Sequence, residues 1–423
     1  MNQPKICVIG AGCSGITAVK NLVEKGLKNV VCFEQNDQIG GNWIYSATPS
    51  HSSVCETTHI ISSKKLSEYT DFPMPDDYPD YPSHRQVLAY FQSYCEYFKL
   101  YPYIRFNATV QSVELQNDQR WNVVVNGEMH KFDYVLIANG HHNTPRHPEF
   151  KDDFTGEYLH SHDYKNNRGF EGKKVLVVGA GNSGCDCAVE ISRVAEHVSI
   201  SVRSPQYIVP KFFLGKPTDT FNEGMLFLPK FIADPLRKLS LRVQVGRYSD
   251  YGLPEPDFPV IASHPTVNSE LLYKIRHGKV HPKKGIEKIE GQTVYFKNGE
   301  KQDYDTIVAA TGFKITTPFF DSDFLDYSES DTVPLWLRMF HPKYKSLIFI
   351  GLVQPQGAVW PLSDLQSQLA AKHIAGAFPL PNNLAELAQK DAEFIDKEFI
   401  AAKRHTIEVH YHQYKKELIK YIK

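Results

Sequence analysis

The sequence predicts an α/β protein built of two similar dinucleotide-binding units, and three observations predict it. First, the stretch KICVIGAGCSG, Lys5 to Gly15, returns in nearly the same letters as KVLVVGAGNSG, Lys174 to Gly184. Second, the repeat extends beyond the turns. Gly10, Gly12 and Gly15 recur as Gly179, Gly181 and Gly184 at an offset of 169, and Asn126-Gly127-Glu128, Asp133 and Gly140 recur as Asn298-Gly299-Glu300, Asp305 and Gly312 at an offset of 172. Third, each later block reads as strand, Asn-Gly turn and apolar strand ending in glycine, DYVLIANG (133–140) and YDTIVAATG (304–312). Asn-Gly between strand-like runs signals a hairpin. A single repetition at about 170 residues is a duplicated unit and not a solenoid.

Composition sets the outer limits. A length of 423 residues allows two or three domains, and 42% hydrophobic with 22% charged residues is the balance of a globular chain. A formal charge of −1 gives no electrostatic reason to expect nucleic acid or an anionic membrane as partner. No run of 18 apolar residues occurs, so no membrane span is expected. Lys5 to Ile9 runs straight into the glycine turn and is spent as a strand, not as a leader. The seven cysteines, at 7, 13, 32, 55, 95, 185 and 187, form no disulfide framework and read as small buried hydrophobes. Cys185 and Cys187 make only a C-x-C at a helix start, and a reducing cytoplasm is the expected compartment. His141-His142, His410 and His412 are too few and too irregular for a metal centre, so no metal is expected.

In chain order, KICVI is the first strand, SGITAVKNLVEKG its helix and VVCFE the next strand, ending at Glu34. The glycines Gly10, Gly12 and Gly15 permit a tight turn and close backbone approach, and the helix N-terminus faces a pyrophosphate. The turn as a whole, with Ala11, Cys13 and Ser14, is therefore a candidate binding site, and Glu34, followed by Gln35, is placed to accept hydrogen bonds from ribose hydroxyls. YTDFPMPDDYPDYP (69–82) cannot be regular structure, and its Asp76, Asp77 and Asp80 read as solvated loop charges. A helix is predicted from Ser83, with Val87, Phe91, Tyr94 and Phe98 on one face.

The second copy repeats the order: KVLVV, then SGCDCAVEISRVAEH, then HVSISVR ending at Arg203. Its candidate site is Gly179, Gly181, Asn182, Ser183 and Gly184, with Arg203 and Ser204. An insert rich in aromatics and prolines follows at about 212–270. Spacing assigns the ligands. Gly10 to Glu34 and Gly179 to Arg203 are both 24 residues, so one slot holds an acid in the first copy and an arginine in the second. An acid accepts a free 2′-hydroxyl and repels a 2′-phosphate, whereas Arg pairs with that phosphate. The first site suits FAD or NAD and the second suits NADP.

Two unlike dinucleotide sites in one chain imply electron transfer from NADPH to a flavin. No C-x-x-C pair is present to make a disulfide reductase, and no G-x-S-x-G supplies a serine nucleophile; Ser14 and Ser183 lie inside phosphate turns, where backbone N–H groups and hydroxyls face anions. Dioxygen, or a small acceptor, remains as the electron sink.

Further motifs carry a resemblance. FEQNDQIGGNW (33–43) places Glu34, Gly41, Asn42 and Trp43, and FTGEYLHSHDY (154–164) fits F-x-G-x-x-x-H-x-x-x-[FY] through Phe154, Gly156, His160 and Tyr164. AATGF (309–313), GLVQ (351–354) and DLQSQLAA (364–371) follow in order. In these segments the chain resembles the flavin-containing monooxygenases, of the class B flavoprotein monooxygenase group, over nearly its whole length. The resemblance implies two Rossmann-like domains, a discontinuous FAD domain (1–165 and 305–423) and an NADP domain (166–304) inserted in it. FAD would be held by the first turn, Glu34, Gln35, Gly41, Asn42, Trp43, Ser62 and Gln354.

The implied activity is that of an NADPH-dependent, FAD-containing enzyme like N,N-dimethylaniline monooxygenase. It forms a C4a-hydroperoxyflavin with O2 and oxygenates soft nitrogen or sulfur in a small amine or sulfide. The cofactor supplies the reactivity and the protein a dry pocket. Tyr164 stands where Baeyer–Villiger enzymes carry Trp, which favours N- and S-oxygenation over the ketone reaction. The family's Thr-Asn-x-x-Lys segment reads Ile60-Ile61-Ser62-Ser63-Lys64, so Ile61, which donates no hydrogen bond, replaces the asparagine at the C4a adduct. Ser62 is the candidate to take over its catalytic role, or a water does; otherwise the enzyme leaks hydrogen peroxide as an NADPH oxidase. The C-terminus IEVHYHQYKKELIKYIK is basic and polar, without the anchor of the animal enzymes, and a soluble cytoplasmic homodimer is expected.

Overall fold

The computed structural model describes residues 3–225, 228–399 and 406–423, so residues 226 and 227 of the insert and 400–405 near the C-terminus lie outside the described residues. The chain divides into two compact units, one of residues 1–45, 64–144 and 314–423 and one of residues 46–63 and 145–313.

Each unit is centred on a five-stranded sheet. In the first unit the order is Leu347–Phe349, Tyr134–Ile137, Ile6–Ile9, Val30–Phe33 and Ile104–Arg105, and all four pairings are parallel. The four residues of Ile6–Ile9 are buried, as the uninterrupted apolar run requires of a central parallel strand. In the second unit the order is His281–Lys283, His197–Ser201, Lys174–Val178, Thr306–Ala309 and Glu157–His160, again parallel throughout. The duplication is therefore architectural. In both units the strand before the glycine turn sits in the centre, with the strand after the helix on one side and the strand of the later repeat block on the other.

An antiparallel three-stranded meander also occurs twice, over Val110–Leu115, Trp121–Val125 and Glu128–Phe132, and over Ile286–Glu290, Thr293–Phe296 and Lys301–Asp303. The first Asn-Gly is a two-residue turn with φ of 48° at Asn126 and 85° at Gly127, the left-handed pair such hairpins need. The second differs. Phe296 N–H bonds Glu300 C=O across a three-residue loop, and only Gly299, at φ 83°, is left-handed.

The unit boundaries fall at 144/145 and 313/314, not at the expected 165/166 and 304/305. The cause is strand pairing: Glu157–His160 lies beside Thr306–Ala309, itself paired with Lys174–Val178, so both belong to the second sheet. Residues 46–63 join the same unit because the Lys165 ammonium donates to Ser52 C=O and Glu56 N–H donates to Lys165 C=O.

The predicted helix forms as His84–Tyr97, and Ser83 and Gln86 make a reciprocal capping box at its start. Val87, Phe91 and Tyr94 are buried, while Asp76, Asp77 and Asp80 are exposed as expected. Among the described residues no helix is long and apolar enough to cross a membrane.

Candidate functional site: two glycine turns

The first turn joins Ile6–Ile9 to the helix Cys13–Glu24. Gly10 has φ 96°, and a Cβ there would lie 2.7 Å from the Ala138 carbonyl oxygen; a Cβ on Gly15 would lie 1.8 Å from that of Gly10. Only glycine lets strand and helix close to this distance. The helix starts at Gly12 with no side-chain cap, so its first N–H groups are left for an external acceptor. Gly40 N–H bonds Ala11 C=O at 3.0 Å, which brings the single 3-10 turn Gly41–Trp43 against the glycine turn. Trp43 meets Trp360 edge to face at 5.5 Å, and the buried Trp360 Nε1–H has no acceptor among the described residues.

Glu34 is buried and wired into this turn. Its Oε2 accepts from Ala11 N–H at 2.6 Å, and its Oε1 accepts from the N–H of Asn36 at 2.9 Å and from Asn36 Nδ2 at 2.5 Å. Ser14 departs from expectation. Its hydroxyl lies 2.9 Å from that of Ser363, and a Cβ on Gly351 would come within 2.0 Å of it, so the backbone of the turn, not this hydroxyl, is presented to a phosphate.

The helix Cys13–Glu24 is held to the helix Val359–Ile374 by a buried ionic network that sequence reasoning missed. Asn21 Nδ2 donates to Asp364 Oδ1 at 2.8 Å, and the Lys20 ammonium reaches Asp364 at 3.5 Å, Glu24 at 3.3 Å and Asp71. Burial disfavours the Lys20 charge, but Asp364, Asp71 and Glu24 outweigh it and raise its pKa. Of the remaining first-site residues, Gln35 is exposed, Asn42 half-buried, and Gln354 half-buried with its N–H bonded to Ile407 C=O.

The second turn repeats the geometry. Gly179 has φ 105°, with a Cβ there 2.5 Å from the Ala310 carbonyl oxygen, and a Cβ on Gly184 would lie 2.0 Å from that of Gly179. A Cβ on Gly181 would meet nothing within 4 Å. Ser183 and Ser204 are exposed, but the Asn182 Oδ1 is already engaged by Val267 N–H at 2.7 Å. Arg203 is exposed, lies over Gly285, and has no ion pair among the described residues. Val202 N–H bonds Lys283 C=O and the Ser201 hydroxyl bonds Lys284 C=O at 2.9 Å, which fixes the strand end that carries it.

The motifs on these turns find their counterpart among known proteins. The family described as flavin-binding monooxygenase-like matches residues 3–423. The chain belongs to this family. It is 35% identical to "Flavin-containing monooxygenase 5" of Homo sapiens over 97% of this chain and 81% of that protein. It is 32% identical to "Dimethylaniline monooxygenase [N-oxide-forming] 2" of Rattus norvegicus over 93% and 78%. Among solved structures, an open form of cyclohexanone monooxygenase has a TM-score of 0.74 at 19% identity over 99% of this chain and 98% of that one, a likeness of fold. As a member of the flavin-binding monooxygenase family, the protein is an FAD-containing, NADPH-dependent monooxygenase.

The motif from Phe154 to Tyr164 and the residues Ile60 to Ser63 lie in the second unit. Ile61 is half-buried and Ser62 buried. Ser63 N–H donates to Asp219 Oδ2 at 2.5 Å, so a carboxylate from the insert anchors this segment; burial pushes the Asp219 carboxyl up. No local pattern marks Asp219, since its partner lies 156 residues away. His160 ends the strand Glu157–His160, and its Nδ1 accepts from His162 N–H at 3.1 Å, which leaves the proton on Nε2. Burial, His147 and His162 together lower its pKa to about 4, so the ring is neutral at pH 7. Tyr164, the last motif position, packs in the apolar core of the second unit.

Proposed function

We propose that the protein uses NADPH and O2 to oxygenate soft nitrogen or sulfur atoms of small molecules. The observation that carries this is the pair of like-built turns that differ at one slot, Glu34 in the first and Arg203 in the second. The uncapped helix start, the Gly41–Trp43 turn and the orphan Trp360 donor fit FAD, while the open space at Gly181 and the unpaired Arg203 guanidinium fit NADP. The two units would then be Rossmann-like FAD and NADP domains. Bound there, FAD supplies the oxygen chemistry and NADPH the reducing hydride. The protein binds the pyrophosphates on backbone N–H groups, reads a ribose through Glu34 and the 2′-phosphate through Arg203, and keeps His160 uncharged. Nitrogen as the target is supported by the N-oxide-forming relative. The cytoplasmic placement is supported by seven cysteines that are all free thiols.

One observation favours a second reading. Ile61 brings no donor to the segment 60–64, which supports an NADPH oxidase that releases hydrogen peroxide. Turnover of the FAD-loaded enzyme with N,N-dimethylaniline or an alkyl aryl sulfide separates the readings. Oxygenated product matching NADPH consumed supports the monooxygenase. Peroxide that accounts for all the NADPH, with every amine and sulfide offered, supports the oxidase. Conversion of a ketone to an ester would instead make it a Baeyer–Villiger enzyme.

A further inference from the structure

The two turns hold their middle alanine differently. In the first, Ala11 is gripped through its N–H by Glu34 at 2.6 Å, and its carbonyl takes a backbone N–H, that of Gly40, at 3.0 Å. In the second, the slot of Glu34 is filled by Arg203, which has no acceptor to offer. Here Ala180 is gripped through its carbonyl: the Thr266 hydroxyl donates to it at 2.9 Å, with Gln206 Oε1 as an alternative acceptor at 3.0 Å and the Cys185 thiol adding a weak contact at 3.4 Å. The next two residues continue the clamp. Val267 N–H donates to Asn182 Oδ1 at 2.7 Å, and Asn268 Nδ2 donates to Asp186 Oδ1 at 2.8 Å. Thr266 and Asn268 are buried, at 1% and 7% exposure, and Thr266–Val267 pairs with Ile208–Val209 as the two roots of the insert.

A glycine turn binds an anion through peptide groups whose direction must be fixed before the ligand arrives. Exchanging the acid for arginine gains a phosphate partner and gives up the clamp. We propose that Thr266, supported by Asn268, is the positioning residue of the nucleotide turn, replacing from the root of the insert the clamp that Glu34 gives the first turn. It contacts the turn and not the nucleotide, and it makes nucleotide affinity depend on how the insert is rooted. The proposal rests on the reading that the second turn binds NADP.

The test is an NADP+ titration of FAD-loaded Thr266→Val, Thr266→Ser and Arg203→Ala, with FAD content, thermal midpoint and the limiting rate of flavin reduction at saturating NADPH measured beside it. Thr266→Val should weaken NADP+ about ten-fold, the cost of leaving a buried carbonyl without its donor. FAD content and limiting rate should stay unchanged, and Thr266→Ser should restore most of the affinity. Wild-type affinity in Thr266→Val beside a weakened Arg203→Ala would overturn the proposal and leave the NADP reading standing. A loss of FAD and of thermal midpoint in step with NADP+ would overturn it in favour of a general structural role. Undiminished affinity in both variants would remove the NADP reading and the proposal together. Should Thr266→Val not accumulate, Asn268→Ser, which loses the donor to Asp186 and keeps a hydroxyl acceptor, is judged by the same criteria.

Discussion

The Glu34 carboxylate accepts the Ala11 N–H at 2.6 Å, so the residue proposed to read the ribose also holds the turn proposed to bind the pyrophosphate. With Asn36 on its other oxygen, Glu34 is fixed before any ligand arrives, and its remaining lone pairs can meet the ribose diol without reorganisation. Arg203, at the same slot of the second copy, is exposed and free to move toward a phosphate. On the proposed reading, one fold position serves two recognition strategies, one prearranged and one mobile.

Glu34→Ala is expected to release FAD. It strands the N–H groups of Ala11 and Asn36 and costs about 1–3 kcal/mol for each buried donor left unpaired. Glu34→Gln keeps an acceptor and should retain more flavin. The flavin-to-protein ratio after desalting reads both; full retention in Glu34→Ala would contradict the assignment.

Arg203→Ala should raise the KM for NADPH and leave that for NADH nearly unchanged, because only NADPH carries the 2′-phosphate. A charge-assisted contact of about 1.5–3 kcal/mol corresponds to roughly ten- to a hundred-fold in kcat/KM. Equal losses with both nucleotides would sink the assignment.

Much of this was legible in the sequence because it is local. The glycine turns, the Asn126-Gly127 hairpin and the helix from Ser83 each rest on residues a few positions apart. What was not legible depends on distant partners. Ser14 turns to Ser363, Asn182 to Val267, Lys20 to Asp364 and Ser63 to Asp219, and no window of sequence contains both members of any pair. The unit boundary belongs with these. Glu157–His160 is a short strand whose sheet is decided by pairing with Thr306–Ala309, about 150 residues on, and parallel pairing leaves no local mark.

Lys20→Ala should destabilise the first unit by about 3–5 kcal/mol, the cost of stranding a buried carboxylate, here that of Asp364. Adding Asp364→Asn should recover much of the loss, since the amide needs no counter-charge. Urea unfolding of the two single variants and the double variant measures the coupling. Additive losses would mean that the pair is not a pair.

Two groups in the second unit, the buried His160 and the half-buried Asp186, shift in ways that give opposite pH dependences. His160 is lowered from 6.5 to about 4 by burial, His147 and His162, so folding favours its neutral form, and that stability is lost as pH falls from 6.5 to 4. Asp186 is raised from 3.8 to about 6, chiefly by burial against the opposing pull of Lys211 and Asn268. Folding favours its protonated form, and stability is lost as pH rises from 3.8 to 6. Each effect amounts to about 3 kcal/mol at full extent, with opposite sign in one window. Relative to wild type, Asp186→Asn should therefore gain stability progressively from pH 4 to pH 6. His160→Gln should gain it as pH falls across the same range. Urea midpoints at three pH values check both, and a difference that does not change with pH would refute the shift concerned.

Ile61→Asn is expected to change where the electrons go and not how fast they arrive. Ile61 is half-buried beside the buried Ser62, in a segment that Asp219 anchors through Ser63 N–H, so an amide placed there would be held in position. Asparagine brings a donor and an acceptor where isoleucine brings neither. If the missing hydrogen bond is what opens the route to peroxide, restoring it should lower peroxide formed per NADPH about ten-fold, the effect of one hydrogen bond of about 1.4 kcal/mol. The rate of flavin reduction by NADPH should stay the same, because neither glycine turn is touched. A peroxide yield already low in the wild type and unchanged in Ile61→Asn would mean that other groups, with Ser62 foremost, supply what the asparagine supplies elsewhere in the family. In that case Ser62→Ala, and not Ile61→Asn, should move the yield.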